Sequence, residues 1–220
     1  MNNIDKTIEF LERCFDQSEY FKQEPDSKKY RLEHTYRVAN IGMEIAVKEK
    51  LNIEALVVGC LLHDISYIET FQAKEDWMNH GRKAAEIAKP FVDTLDFDEK
   101  TKDEILYGIA IHVDDLADFS GEKNAFTQSI GDADNIDRFD AFRFYEMLKY
   151  NQLELLSYKE QVKFIEEQIE KCNKLLQHNF ATPTATALFH GRIQSNLEFL
   201  CRLQNQLNQS KSILDWEEKI

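Results

Sequence analysis

Ionisable side chains interrupt several apolar helical faces of this sequence, at positions where a helical bundle normally carries Leu or Val. These residues are His34, the adjacent pair His63 and Asp64, His112, and Asp134. Burying such groups costs about 1–3 kcal/mol each unless they find partners. Imidazoles and carboxylates together make a mixed nitrogen and oxygen site that suits Mn, Fe, Co, Ni or Zn. A thiolate zinc site would need closely spaced cysteines, and the four cysteines are widely scattered.

The pair His63 and Asp64 directly follows the apolar run from Ala55 to Leu62. Adjacent residues on a helix point about 100° apart, so these two can flank one ion only near a helix end. That is where the pattern places them. Two simpler readings stay open at this point. A single His on an apolar face is usually a hydrogen-bonded core residue, and an acidic run such as 132–140 is usually a solvated face.

The elements that must position these residues are helical. Apolar residues recur at spacings of three and four along almost the whole chain, which predicts helices. The chain has only 7 Gly and 3 Pro in 220 residues, too few for the many tight turns of an all-β protein. We therefore predict an all-α bundle of about eight helices.

The boundaries of several helices carry recognisable signals. Asn52 is a predicted cap, Asn79 or His80 is predicted to open a helix that Pro90 kinks or splits, and Thr182 is predicted to cap the last helix. One long helix is expected over 124–150. The whole chain, 1–220, is predicted to be one domain, with a core at about 20–150 and C-terminal helices at about 151–208 packed on it. The last dozen residues are expected to fray.

The charge of the chain narrows its possible partners. With 27 Lys and Arg against 40 Asp and Glu, the net charge is −13 and the pI is about 4.9. Such a chain has no positive field to hold nucleic acid or an anionic membrane, whereas a small phosphorylated molecule remains possible. The N-terminal residues lack the apolar stretch of a signal peptide, and no apolar run is long enough to span a bilayer. We therefore expect a cytoplasmic protein with reduced cysteines. The oligomeric state is left open.

The order of the candidate residues resembles a known signature. His34, then His63 and Asp64, then Asp134 resembles the H…HD…D pattern of the HD-domain metal-dependent phosphohydrolases. The flanking segments are similar too: EHTYRVANIGMEIA, VVGCLLHDIS and IGDADNIDRFDAF resemble the three ligand helices of that family. The C-terminal ATPTATALFHGRIQSNLEFL resembles the closing helix of small members. The resemblance spans most of the chain and implies an HD-domain helical bundle with a packed C-terminal helix pair.

The resemblance implies a divalent metal cofactor, with Mn, Fe, Co, Ni or Zn favoured and Mg as a further candidate. It implies that four ligands hold one ion: His34, His63, Asp64 and Asp134. NHGRKAAEIA and IAIHVDD resemble stretches that supply extra histidines in some members, so His80 and His112 are expected to bind a second ion or to act on substrate. Asp64 would bridge the ions or orient water.

Two arginines are candidates for binding the phosphate of the substrate. Arg37 lies one turn after His34, and Arg138 lies one turn after Asp134, although either residue could instead pair with a nearby acid. Asn135 stands where the family commonly has Arg, and Ser66-Tyr67 follows the HD pair where cyclic-dinucleotide phosphodiesterases have Gly-Lys. These departures favour a small phosphohydrolase without selecting its substrate. We expect a nucleotide, cleaved at a phosphomonoester or pyrophosphate bond. The competing hypotheses are a non-catalytic module that binds metal and nucleotide, and a purely structural helical protein.

Overall fold

The computed structural model of the chain describes residues 1–210. The structure is 78% helical, and no strand occurs within residues 1–210, so the all-α prediction is confirmed. The ten α-helices of this part are α1 (Asn3–Gln17), α2 (Glu19–Gln23), α3 (Pro25–Glu49), α4 (Ile53–Leu62), α5 (Lys74–Val92), α6 (Glu99–Ile111), α7 (Ala125–Arg138), α8 (Ala141–Tyr150), α9 (Tyr158–Leu175) and α10 (Pro183–Gln209). Short 3₁₀ turns cover Ile65–Ile68 and Leu153–Leu155.

The chain forms two compact units. Of the described residues, the first unit contains 1–137 with the return segment 180–185, and the second contains 138–179 and 186–210. The prediction of a single domain over 1–220 stays a prediction. The expected fraying falls almost entirely outside the described residues.

Helix α4 is the centre of the first unit. Every residue from Ala55 to Leu62 is buried, because the helix is packed on several sides and has no polar face. The side chain of Asn52 accepts a hydrogen bond from the backbone N–H of Ala55 and so caps the start of the helix, as predicted. Its other end delivers His63 and Asp64 into the interior, with exposed fractions of 0% and 3%.

Two helix boundaries differ from the prediction. Helix α5 begins at Lys74 rather than near His80, because the Asp76 carboxylate accepts backbone N–H groups of Gln72 and Ala73 and stabilises an earlier start. Pro90 lies in the last turn, so α5 stays one helix. The predicted helix over 124–150 is two helices, because Asp140 adopts an extended conformation and caps α8.

In the described part of the second unit, all buried residues lie on α9 and α10. The apolar ones are Ile165, Cys172, Phe189, Ile193 and Leu200, and the polar one is Asn196. Helix α8 has no buried residue. The start of α10 matches its prediction, since the Thr182 hydroxyl accepts the Ala185 N–H and Pro183 occupies the first helical position. All four cysteines are free thiols. None of the helices within residues 1–210 is both long enough and apolar enough to cross a bilayer.

Candidate metal centre

The histidines and aspartates singled out from the sequence converge inside the first unit. They come from five different elements, and their side chains form overlapping groups whose ligand atoms lie within 4.8 Å of one another. The members are His34 on α3, His63 and Asp64 at the end of α4, His80 on α5, His112 at the end of α6, and Asp134 on α7.

One set of donor atoms surrounds Nε2 of His34. That nitrogen lies 3.3 Å from Nε2 of His63, 3.2 Å from an oxygen of Asp134 and 3.5 Å from Oδ2 of Asp64. Nε2 of His63 also lies 3.5 Å from Oδ2 of Asp64. Two imidazole nitrogens and two carboxylate oxygens therefore face one point. This donor chemistry fits a divalent transition metal.

A second set of donor atoms faces the other oxygen of Asp64. Oδ1 lies 3.3 Å from Nε2 of His80 and 3.7 Å from Nε2 of His112. The two imidazole nitrogens are 3.1 Å apart. The two oxygens of one buried carboxylate thus face two different donor sets. This is the arrangement that a carboxylate needs to bridge two ions.

Three of the four imidazoles are oriented by the backbone of their own helix. The Nδ1–H of His63, His80 and His112 donates to the carbonyl oxygen three residues earlier, at 2.8, 2.6 and 2.7 Å respectively. This hydrogen bond fixes the tautomer, because the proton on Nδ1 leaves Nε2 with a lone pair. Each Nε2 points into the centre. The geometry therefore aims the Nε2 atom of each of these rings at the centre without further rearrangement.

Gly81 sets the separation of α5 and α6. A Cβ at this position would lie 2.7 Å from the carbonyl oxygen of Ala110 and 3.0 Å from Nδ1 of His112. Only glycine allows so close an approach of the two backbones. The approach brings His80 of one helix against His112 of the other.

His34 is oriented differently, by a carboxylate. Its Nδ1 lies 2.8 Å from Oδ2 of Asp137, which is only 1% exposed. Arg37 in turn donates to both oxygens of Asp137, from Nε at 2.6 Å and from Nη2 at 3.2 Å. A carboxylate behind a ligating imidazole fixes the ring and raises its basicity. The structure thus places Arg37 in an ion pair with a nearby acid, the alternative that the sequence left open.

Arg31 contacts the Asp64 oxygen that faces the first donor set. Its Nη1 donates to Oδ2 of Asp64 at 2.7 Å, and its guanidinium carbon lies 3.4 Å from the centre of the Tyr67 ring. The cation lies one turn before His34 on α3. It partly compensates the charge of a carboxylate that would otherwise be buried without a permanent cation.

Burial and charge act in opposite directions on the ionisation of the centre. Burial alone would lower the pKa of His34, but hydrogen bonds to Asp134, Asp137 and Asp64 outweigh it and raise the pKa to about 11. Burial lowers the pKa of His63 to about 4. Burial opposes ionisation of Asp134, yet the hydrogen bond to His34 and the charge on His63 lower its pKa to about 2. The same competition, with His63 and Arg31 as the main cations, holds the pKa of Asp64 well below its usual range.

Arg138 is the one candidate that the structure does not bring to this group. It is exposed at the end of α7, and it belongs to the second unit. The sequence interpretation missed Asp137 and Arg31. A signal existed for both, since Asp137 lies three residues after Asp134 and Arg31 three residues before His34, which is the spacing of one helical face.

Comparisons with known proteins agree with this geometry. The family model of the HD domain matches residues 31–142, which contain all six of the residues that converge. The chain therefore belongs to the HD-domain family, as its resemblance implied. Membership supports a metal-dependent phosphohydrolase as the general class and a divalent metal as the class of cofactor.

A solved structure similar to this chain is the crystal structure, at 1.45 Å resolution, of a predicted HD superfamily hydrolase from an uncultured Thermotogales bacterium. The two chains are 20% identical, the match covers 93% of each, and the TM-score is 0.62. At this identity the likeness shows the fold alone. A search of curated proteins found no match.

Proposed function

We propose that this protein hydrolyses a small phosphate ester, with a nucleotide as the best substrate, at a two-ion centre. The observation that carries the proposal is the position of Asp64. Its two oxygens face two separate donor sets, one with His34, His63 and Asp134, the other with His80 and His112. A scaffold histidine needs one hydrogen-bond partner, whereas here four imidazoles turn Nε2 toward a single carboxylate or its neighbour. This convergence supports the interpretation of the four imidazoles as metal ligands rather than as structural residues of the core.

The donor set fits Mn, Fe, Co, Ni or Zn, and Mg is a further candidate. When bound, such ions neutralise charge on phosphoryl oxygens and lower the pKa of water from 15.7 toward about 7. Asp64 would hold both ions and accept a hydrogen bond from the attacking water. Asp134 is more accessible than Asp64, with 20% of its side chain exposed against 4%, and so lies toward the substrate.

His80 is the best candidate to interact with the departing oxygen. It is the most exposed of the four imidazoles, with 14% of its side chain accessible against 0–7% for the others. If a second ion is not bound, the protonated ring can donate to the leaving group. Arg37 would act behind His34, through Asp137, and not on the phosphate.

The net charge of −13 favours a small substrate over a nucleic acid polymer, because the chain cannot release counterions from a long polyanion. Local cations then matter more than the global charge. Arg31 lies beside Asp64 with 20% of its side chain exposed, and is the nearest arginine to the donor atoms. Arg138 would contact the phosphate of the substrate through its exposed side chain.

The proposal is tested by elemental analysis of the purified protein, followed by a phosphate-release screen over nucleotides and simple phosphate esters, with and without Mn²⁺. We expect bound divalent metal and metal-dependent release of phosphate. Asp64→Ala should lose both while keeping its helical content by circular dichroism, because it removes the carboxylate common to the two donor sets. Asp103→Ala, an exposed aspartate in the middle of α6, is the matched control.

The alternatives predict different outcomes. Metal without turnover across the whole screen would support a non-catalytic module that binds metal and nucleotide. Absence of divalent metal affinity would support a helical scaffold and overturn the proposal. Stoichiometric metal in Asp64→Ala would overturn the assignment of the ligands.

A further inference from the structure

A cavity of about 380 Å³ opens beside the metal centre, between the start of α3, the 3₁₀ turn after Asp64 and the start of α5. Its walls are mainly aromatic. They include Tyr20, Phe21, Tyr30, Tyr67 and Trp77. The volume falls within the range of small-molecule sites, and a predominantly aromatic lining with a few polar groups is typical of them.

The cavity and the centre share a wall. Arg31 lines the cavity, and the same guanidinium donates to Oδ2 of Asp64 at 2.7 Å. Tyr67 also lines the cavity, and its ring centroid lies 5.3 Å from that of His80. A molecule held at Asp64 by one end therefore has the cavity within reach of its other end.

Trp77 is the most exposed aromatic residue that lines the cavity. Its ring packs edge-on against Tyr67 and Phe71, at centroid distances of 5.6 and 5.2 Å, so two neighbours hold its orientation. Trp77 nevertheless stays 49% exposed. Leaving a large ring both fixed and half in water costs hydrophobic free energy that stacking of a flat ligand would recover.

We propose that this cavity binds the aromatic base of a nucleotide whose phosphate lies at the metal centre. The inference rests on the proposed function for the location of the phosphate, and it adds a site that selects the substrate. Trp77 and Tyr30 stack on the base. Asp26, which lines the same cavity, accepts a hydrogen bond from an exocyclic amino group of the base.

The polar groups favour this occupant over other phosphate esters. A sugar phosphate has no flat ring to stack, and an acyl chain gains nothing from Asp26 and Ser27 at the cavity wall. Base stacking on an aromatic side chain is worth about 1–3 kcal/mol, so each stacking residue changes recognition by about five- to a hundredfold. The cavity therefore distinguishes nucleotides from otherwise similar small esters.

The first experiment compares two substrates that share a ribose 5-phosphate. The ratio of kcat/KM for adenosine 5′-monophosphate to that for ribose 5-phosphate should be well above one in the native chain. Trp77→Ala should lower that ratio about tenfold. Trp77→Phe should keep most of the preference, and so should Met78→Ala, which changes an exposed neighbour outside the cavity. An unchanged ratio in a folded Trp77→Ala protein would overturn the proposal.

The second experiment does not depend on catalysis. The chain has two tryptophans, so Trp216→Phe leaves Trp77 as its only indole fluorophore. Adenosine should quench this fluorescence and ribose should not. Inosine, which lacks the exocyclic amino group, should bind more weakly, and Asp26→Asn should reduce that difference.

The two proposals fail separately. Phosphate release without quenching by adenosine would remove the base site and leave the hydrolase. Quenching by adenosine without release of phosphate from any ester would support the base site and count against the hydrolase.

Discussion

The two ends of the candidate centre hold their imidazoles by different means. At the α5–α6 end, His80 and His112 each donate Nδ1–H to a carbonyl of their own helix. At the α3 end, His34 instead contacts the carboxylate of Asp137, 103 residues away in the sequence. A backbone carbonyl fixes only the orientation of the imidazole ring, whereas a carboxylate also places a negative charge next to it.

Within the first donor set, two neighbouring rings differ in their ionisation. His63 is anchored by a carbonyl and completely buried, and burial lowers its pKa to about 4. His34 is almost as buried, yet the three surrounding carboxylates raise its pKa to about 11. Burial alone therefore does not decide the charge of a buried imidazole. The carboxylates around the ring also matter, and together they keep His34 protonated when no metal is bound.

The largest expected effect is at the α5–α6 end, where backbone carbonyls orient His80 and His112. Replacing both His80 and His112 by Ala should lower the metal content from two ions per chain to one and reduce turnover by more than about tenfold, because one side of the phosphoryl site is lost. Metal analysis and steady-state kinetics measure the two quantities. The matched control is His178→Ala with His190→Ala, which removes the two histidines of the second unit.

The same double variant separates three roles. Unchanged metal content with a lower kcat/KM would assign the pair to substrate or proton transfer. Unchanged activity in a well-folded double variant would contradict both functional roles and leave a structural one.

A smaller effect is expected at the α3 end, where the carboxylate of Asp137 orients His34. Asp137→Asn should raise the Kd for the divalent ion about tenfold, at the lower end of the usual effect of such outer partners, because the amide oxygen can still accept from His34 while its charge is lost. Metal titration with a competing chelator measures this. Asp140→Asn is the control, since Asn also caps helices well. Equal Kd values for Asp137→Asn and the native chain would remove the distinction between the two ends.

The smallest expected effect is the release of a proton when the metal binds. At pH 7 the metal-free His34 carries a proton, because its pKa is about 11, whereas His63 is already neutral with a pKa of about 4. Since a metal binds neutral imidazole, binding should release about one proton from His34, and affinity should rise with pH. Calorimetry in buffers of different ionisation enthalpy measures the release. A binding heat that is independent of the buffer would contradict this prediction.

The sequence was sufficient to predict the residues that meet, though not all of their neighbours. His34, His63, Asp64 and Asp134 could be recognised because polar residues on apolar faces are costly unless they have partners. Asp137 belongs to an acidic run that the sequence alone cannot divide into solvated and buried members. That division depends on which face of α7 packs against α3, and only the tertiary structure shows it.

The predicted elements differ from the structure for a related reason. The apolar stripe continues from α7 into α8, so periodicity predicted one helix over 124–150, and the break depends on the extended conformation of Asp140. The early start of α5 was missed because the residue before it, Ala73, has no capping side chain. Asp76 performs the stabilisation from inside the first turn. Boundaries set by single side chains are weaker signals than periodic faces.

The carbonyl anchors also bear on how the centre assembles during folding. Each of these hydrogen bonds spans only three residues, so the ring of His63, His80 or His112 is oriented as soon as the helical turn that ends at that residue forms. The loss of side-chain conformational entropy is then tied to local helix formation rather than to collapse of the whole chain. The contact between His34 and Asp137 must instead close a loop of about a hundred residues, which is the slower event. The orientation of three of the four imidazoles on their own helices can therefore exist before the helices meet.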